Sequence, residues 1–153
     1  MSYVDSTLLP GEQVTFRTYL HWLIFVRAVV IVAIGVATLV VGYHHHWAPA
    51  VWLGAAIAAL GLIGWLGAYV RRRSSEFAVT NKRVIVKAGI LRRRTVEMLL
   101  RQVEALEVDQ SLTGRMLGYG TVIIIGTGGT REPFEKVSAP LEFRRAAQAA
   151  STQ

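Results

Sequence analysis

The chain has no cysteine among its 153 residues. That excludes disulfides, thiolate nucleophiles and cysteine-ligated metal centres. Acidic residues are few: 10 Asp and Glu stand against 17 Lys and Arg, for a net charge of +7. The excess is not evenly spread. Arg17 and Arg27 are balanced by Asp5 and Glu12 before residue 71, so the remaining fifteen basic and eight acidic residues all lie from residue 71 onward. Histidine is limited to His21 and the run His44, His45 and His46, so no imidazole is available for acid–base chemistry after position 46. Without a nucleophile elbow, an HExxH pair or a catalytically spaced carboxylate pair, nothing in the chain points to an enzyme or to a bound cofactor. The three adjacent histidines do not share a helix face and have no acidic neighbour, which reads as a solvated loop and not a metal site.

The chain is rich in apolar residues, at 52 % of the total. Residues 20–43 form one apolar run whose single charge is Arg27, and residues 48–70 form a second with no charge, closed by Arg71, Arg72 and Arg73. Each is long enough to cross a hydrocarbon core of roughly 30 Å as a helix. The connection at 44–47 is so short that the two runs form an antiparallel transmembrane hairpin. Arg27 lies near a helix end, where a long side chain snorkels to the headgroups. Trp22, Tyr43, Trp52 and Trp65 suit interfacial belts. Gly54, Ala58, Gly61, Gly64 and Ala68 give the second run small residues three and four apart. These allow close packing against Ala33, Gly35 and Ala37 of the first run, or against a second copy. No cleavable signal pattern precedes the first run. The basic residues gather at the helix ends away from the histidine loop, so both termini are expected on the cytoplasmic side.

From residue 74 the pattern changes to period two. Phe77 and Val79, Val96 and Met98, and Leu106 and Val108 alternate with other residues, and residues 83–87 (RVIVK) form a further run. Residues 121–125 (TVIII) are strongly β-prone. Gly- and Asn-containing turns separate these short strands, as in a small β-sandwich or barrel. Residues 111–120, punctuated by glycine, read as an irregular turn or one helical turn. Pro140 then suits the first turn of a final helix. Ahead of the apolar runs, Pro10-Gly11 marks a turn, and Val14 and Phe16 suggest a short strand or an interfacial segment.

Several runs together carry a family resemblance. They are Phe77-Ala78-Val79-Thr80-Asn81-Lys82-Arg83, Ala88-Gly89-Ile90-Leu91-Arg92-Arg93-Arg94-Thr95, and above all Val108-Asp109-Gln110-Ser111-Leu112-Thr113-Gly114-Arg115-Met116-Leu117-Gly118-Tyr119-Gly120-Thr121. With Leu8-Leu9-Pro10-Gly11-Glu12 and Leu20-His21-Trp22, they resemble the bacterial pleckstrin-homology (PH) domains of small membrane proteins. The resemblance implies an α+β membrane protein: a two-helix transmembrane hairpin, then a PH-like roll. The roll would have two orthogonal antiparallel sheets of about seven strands, closed by one C-terminal helix. The expected division is a cytoplasmic segment at 1–19, the hairpin at 20–70 and the PH-like domain at 71–153. The family implies self-association and a scaffold role more than catalysis, in the bacterial inner membrane.

The expected contacts with anionic lipid fall on Arg71, Arg72, Arg73, Lys82, Arg83, Arg92, Arg93 and Arg94, at about 1 kcal/mol for each basic residue near the surface. The first three also serve as a topology signal, and Arg83 suits support of its hairpin through a carbonyl or Glu76. Residues 126–129 form a hairpin turn and not a phosphate loop, since no Lys-Ser/Thr follows. Few exposed aromatics are available for base stacking, so no nucleic-acid partner is expected. The expected partners are membrane lipids, further copies of the chain and another membrane protein. A small oligomeric transport or channel subunit is the alternative reading.

Overall fold

The computed structural model describes residues 3–89 and 94–151; Arg92 and Arg93 lie outside the described residues. In chain order the elements are α1 (Tyr3–Thr7), β1 (Val14–Thr18), a 3-10 turn (Trp22–Phe25), α2 (Val26–His44) and α3 (Ala48–Arg73). Next come β2 (Glu76–Thr80), β3 (Arg83–Ala88), β4 (Arg94–Leu99), a second 3-10 turn (Leu100–Gln102) and β5 (Val103–Asp109). The chain finishes with α4 (Leu112–Leu117), β6 (Tyr119–Gly126), β7 (Arg131–Ser138) and α5 (Pro140–Ser151). It divides into two compact units: residues 22–71 form one, and the residues up to 21 together with those from 72 onward form the other.

The helical unit is a hairpin. Both helices are long and apolar enough to cross a membrane, by length and composition. Pro49 falls in the first turn of α3, where its missing N–H leaves no hydrogen bond unmade. The tight link is held by the Trp47 N–H donating to the Gly42 carbonyl at 2.9 Å. Glycines let the two backbones meet. A Cβ on Gly35 would strike the backbone of Ala58, and one on Gly54 the backbone of Leu39. A Cβ on Gly61 would come within 2.6 Å of the Val32 side chain, and one on Gly42 within 2.8 Å of Ala50. The seam on α2 therefore consists of Ala28, Gly35 and Gly42, all buried, whereas Ala33 and Ala37 are exposed. Among the α3 residues expected to pack, Gly54 and Gly61 are buried and Ala58 and Ala68 half-buried, while Gly64 is exposed. Large apolar side chains cover the outer faces: Val29, Ile34, Val40, Leu60, Ile63 and Leu66 are all about half exposed or more.

The other unit contains two antiparallel sheets, β1-β2-β3-β4 and β5-β6-β7. Period-two alternation puts Phe77, Val79, Val84 and Val86 of the first sheet into a shared core with Val122, Ile124, Phe134 and Val137 of the second. The Phe77 and Phe134 rings meet edge to face at 5.7 Å. Helix α5 adds Phe143, Ala147 and Ala150, whose spacing of four and three gives one buried helical face. The four-stranded sheet is buried on its other face too. Ala78 and Ile85 pack there against Val4 of α1, with Tyr3, Leu8 and Val14 around them. The N-terminal segment thus belongs structurally to the β unit. Strand β1 pairs with β2 through Thr18 opposite Phe77 and Arg17 opposite Ala78. Beyond β1 the chain turns to β7: the His21 N–H donates to the Lys136 carbonyl at 2.8 Å, and the Ser138 N–H to the Tyr19 carbonyl at 3.0 Å. The whole helical hairpin is therefore the connection between two neighbouring, hydrogen-bonded strands.

Candidate functional site

Strand register sorts the basic residues to two ends of the four-stranded sheet. Lys82 and Arg83 lie at the end where β2 turns into β3. Lys87 faces Glu76 and Ala88 faces Arg94 at the opposite end, where the chain returns from α3. The basic clusters expected from sequence thus do not form a single patch.

At the first end the side chains are committed to the fold. Glu12 has no exposed side-chain surface, and its partner Arg83 is 12 % exposed. The Arg83 Nε donates to Glu12 Oε1 at 2.9 Å and its Nη2 to Glu12 Oε2 at 3.0 Å. Its remaining N–H groups reach Glu97 and the Thr7 carbonyl, both at 2.6 Å. The Thr80 hydroxyl donates to Glu12 at 2.7 Å, and the Leu9 N–H to the same carboxylate at 2.8 Å. Burial pushes the Glu12 carboxyl up. The bonds from Arg83, Leu9 and Thr80, with the Arg83 charge, outweigh it and hold the group below its ordinary value. The bond to Glu12 likewise raises Arg83. Arg83 was expected to touch lipid, but the structure ties it inside a knot between the Leu-Pro-Gly-Glu turn and the β2–β3 turn. Its carboxylate partner is Glu12 and not Glu76, which instead accepts from the Val4 N–H at 3.2 Å. Neighbouring Lys82 is exposed, with its Nζ 3.3 Å from the Pro10 carbonyl.

The second end is where the chain leaves for the helices and comes back. Arg72 and Arg73 close α3 with exposed side chains, and Arg94 opens β4. Lys87, which sequence reasoning passed over, lies here with its Nζ 4.4 Å from the centre of the Tyr3 ring. Helix α4 is fixed at the same end. Its Ser111 cap accepts from the Gly114 N–H at 3.1 Å, and Gly118 terminates it in the left-handed conformation at φ 76°, as a C-terminal glycine commonly does. Gly114 is required because a Cβ there would lie 2.7 Å from the Tyr119 carbonyl. His21 is 7 % exposed; its imidazole bonds the Leu117 carbonyl and packs on the Tyr119 ring at 5.2 Å. Burial, reinforced by the Arg72 charge, outweighs the bond to Leu117 and lowers this imidazole from its ordinary value.

Between β5 and α5 runs a shallow groove of about 130 Å³, lined by Leu100, Val103, Leu106 and Ala147 among others. It is smaller than the several hundred Å³ of a typical small-molecule site. Among the described residues, β5 pairs only with β6, and β4 only with β3.

The model of the bacterial PH domain family matches residues 15–153. No curated protein and no solved structure matches the chain. The matched region begins in β1, runs through both helices and ends with α5, so the hairpin and the two sheets fall within one family unit. The chain belongs to the bacterial PH domain family.

Proposed function

We propose that the chain is a membrane-anchored, non-catalytic interaction module. In this reading α2 and α3 cross the cytoplasmic membrane as a hairpin. The PH-like domain stands at the inner face and associates there with further copies or with another membrane protein. PH-like domains typically serve protein or lipid interactions, and the fold alone does not choose between them.

The observation that carries this reading is the position of the hairpin between β1 and β2. Because those strands hydrogen-bond to each other, the apolar helices must leave and return on one side of any membrane, which requires an even number of crossings. The large side chains on their outer faces are exposed in the isolated chain and match a hydrocarbon solvent. The basic residues Arg71, Arg72 and Arg73 at the return point favour the cytoplasmic side. Arg27, exposed in the first turn of α2, suits snorkelling. For association, the edges of β4 and β5 that no described strand covers offer backbone groups to an added strand. Gly67, where an added Cβ would meet nothing within 4 Å, allows close approach of another helix.

Mass measurement of the full chain in lipid nanodiscs tests the association. A concentration-dependent dimer or larger species is expected, and a strict monomer at every concentration removes self-association. The membrane assignment is tested separately by alkaline carbonate washing of membranes. The chain is expected to stay in the pellet; quantitative release would overturn the anchor.

A further inference from the structure

Helix α4 exposes two large apolar side chains, Leu112 at 81 % and Met116 at 86 %. They are four apart and therefore share one helix face. Both point away from the core, yet the helix is not loosely held. The Ser111 cap, the left-handed Gly118, and Gly114 against Tyr119 fix its backbone. The Gln110 amide donates to the Tyr119 carbonyl at 2.9 Å and ties the preceding turn to the start of β6. A rigid element thus presents Leu112 and Met116 outward. Its location supplies the reason. The Leu117 carbonyl at its end takes the bond from His21, the last residue of the β unit before the helices. Arg72, the first residue of that unit after them, is near enough to act on the same imidazole. The chain therefore leaves for the helices beside α4, where the His21 ring packs on Tyr119 at 5.2 Å, and Arg115 beside Met116 is exposed as well.

We propose that α4 is a lipid-facing foot of the domain, with Leu112 and Met116 seated at the headgroup–acyl boundary of the bilayer that holds α2 and α3. The proposal rests on the membrane reading above. An apolar pair flanked by arginine is the composition of an interfacial anchor, where apolar burial and attraction to anionic headgroups act together. Seating α4 would add a contact with the bilayer beyond the tether that the chain itself supplies.

The absence of cysteine makes the test direct, because any introduced cysteine is unique. Nitroxide labels are placed on the full chain at Leu112→Cys, Met116→Cys, Val36→Cys on the outer face of α2, and Thr127→Cys in the β6–β7 turn. The protein is reconstituted in phosphatidylcholine–phosphatidylglycerol vesicles. Collision rates with oxygen, which concentrates in lipid, are compared with those of a water-soluble nickel chelate. The expected result is an oxygen-to-nickel ratio above one at 36, 112 and 116 and below one at 127. Ratios below one at 112 and 116, with 36 still in lipid, overturn the foot and leave the anchor standing. A ratio below one at 36 removes the anchor and the foot with it. Labels at 112 and 116 shielded from both reagents place α4 in a protein contact, which also overturns the proposal.

Discussion

Arg83 and Glu12 show how one pair can join segments far apart in the chain. Glu12 sits ahead of both helices and Arg83 after them, and each satisfies the other's hydrogen-bonding groups in a site with little solvent. Removing one partner of such a pair leaves a buried charge unmatched, at a cost of about 3–5 kcal/mol. Glu12→Ala and Arg83→Ala are each expected to lower stability by that order in chemical denaturation. The double variant Glu12→Leu/Arg83→Met should recover part of the loss. The same carboxylate gives a pH dependence. Its folded value is held below its ordinary one, so its stabilisation is fully present above the unfolded value of about 4.3. It is lost as pH falls through the folded value. A denaturation midpoint followed through the acid range should drop more for the native chain than for Glu12→Gln. Equal slopes would remove Glu12 as the source. Sequence alone marked Arg83 as able to support its turn, but it could not supply Glu12. No local pattern announces a partner across two long apolar segments.

Among the elements, the hairpin seam was legible in part on both helices. Spacing in α3 picked out Gly54, Ala58 and Gly61, because small residues three and four apart form a continuous groove. On α2 Gly35 was found, but Ala33 and Ala37, named with it, are exposed, and Ala28 and Gly42 were missed. Valine and isoleucine fall on every side of α2, so no stripe stands out, and Gly35 and Gly42 lie seven apart. Gly54→Leu is expected to force the helices apart, since even a Cβ there meets the backbone of Leu39. The reporter is a cysteine pair at Ala28→Cys and Gly64→Cys, whose Cβ atoms would lie 3.9 Å apart, within disulfide range. Oxidation should cross-link this pair within one chain, and adding Gly54→Leu should abolish the link. Adding Gly67→Leu, where nothing lies within 4 Å, should leave it intact. A link that survives Gly54→Leu would mean that the seam is not held by glycine. The strands were legible from period two, with one exception. Ala78 and Ile85 lie on the face opposite Phe77 and Val79, which α1 covers, and a five-residue helix gives no sign in the sequence of where it will dock.

At the scale of the whole molecule, the β unit is discontinuous. A fragment of residues 71–153 would lose β1, the α1 cover over Ala78 and Ile85, and the partner of Arg83. It is expected to be unstable or aggregated, because an unpaired edge and a bared apolar face remain. A chain in which residues 1–21 are joined to 72–153 by a short glycine-rich linker keeps all three. The adjacency of Thr18 and Phe77 is what makes that joining feasible. The joined form is expected to be soluble and to unfold cooperatively, with dispersed amide signals in a two-dimensional nuclear magnetic resonance spectrum; the 71–153 fragment is not. Equal behaviour of the two would show that the first strand is dispensable.

The discontinuity also orders events in time. During synthesis β1 emerges first and has no neighbour until both helices have been made and the chain has turned back, because its partner β2 follows them. A chain whose second helix fails to return leaves β1 unpaired, Glu12 without Arg83 and Val4 without its apolar floor. The completed four-stranded sheet is thus a record that the helices were finished correctly. Proteolytic surveillance of exposed strands and bared apolar surface would, through this domain alone, detect a fault in a segment it never touches.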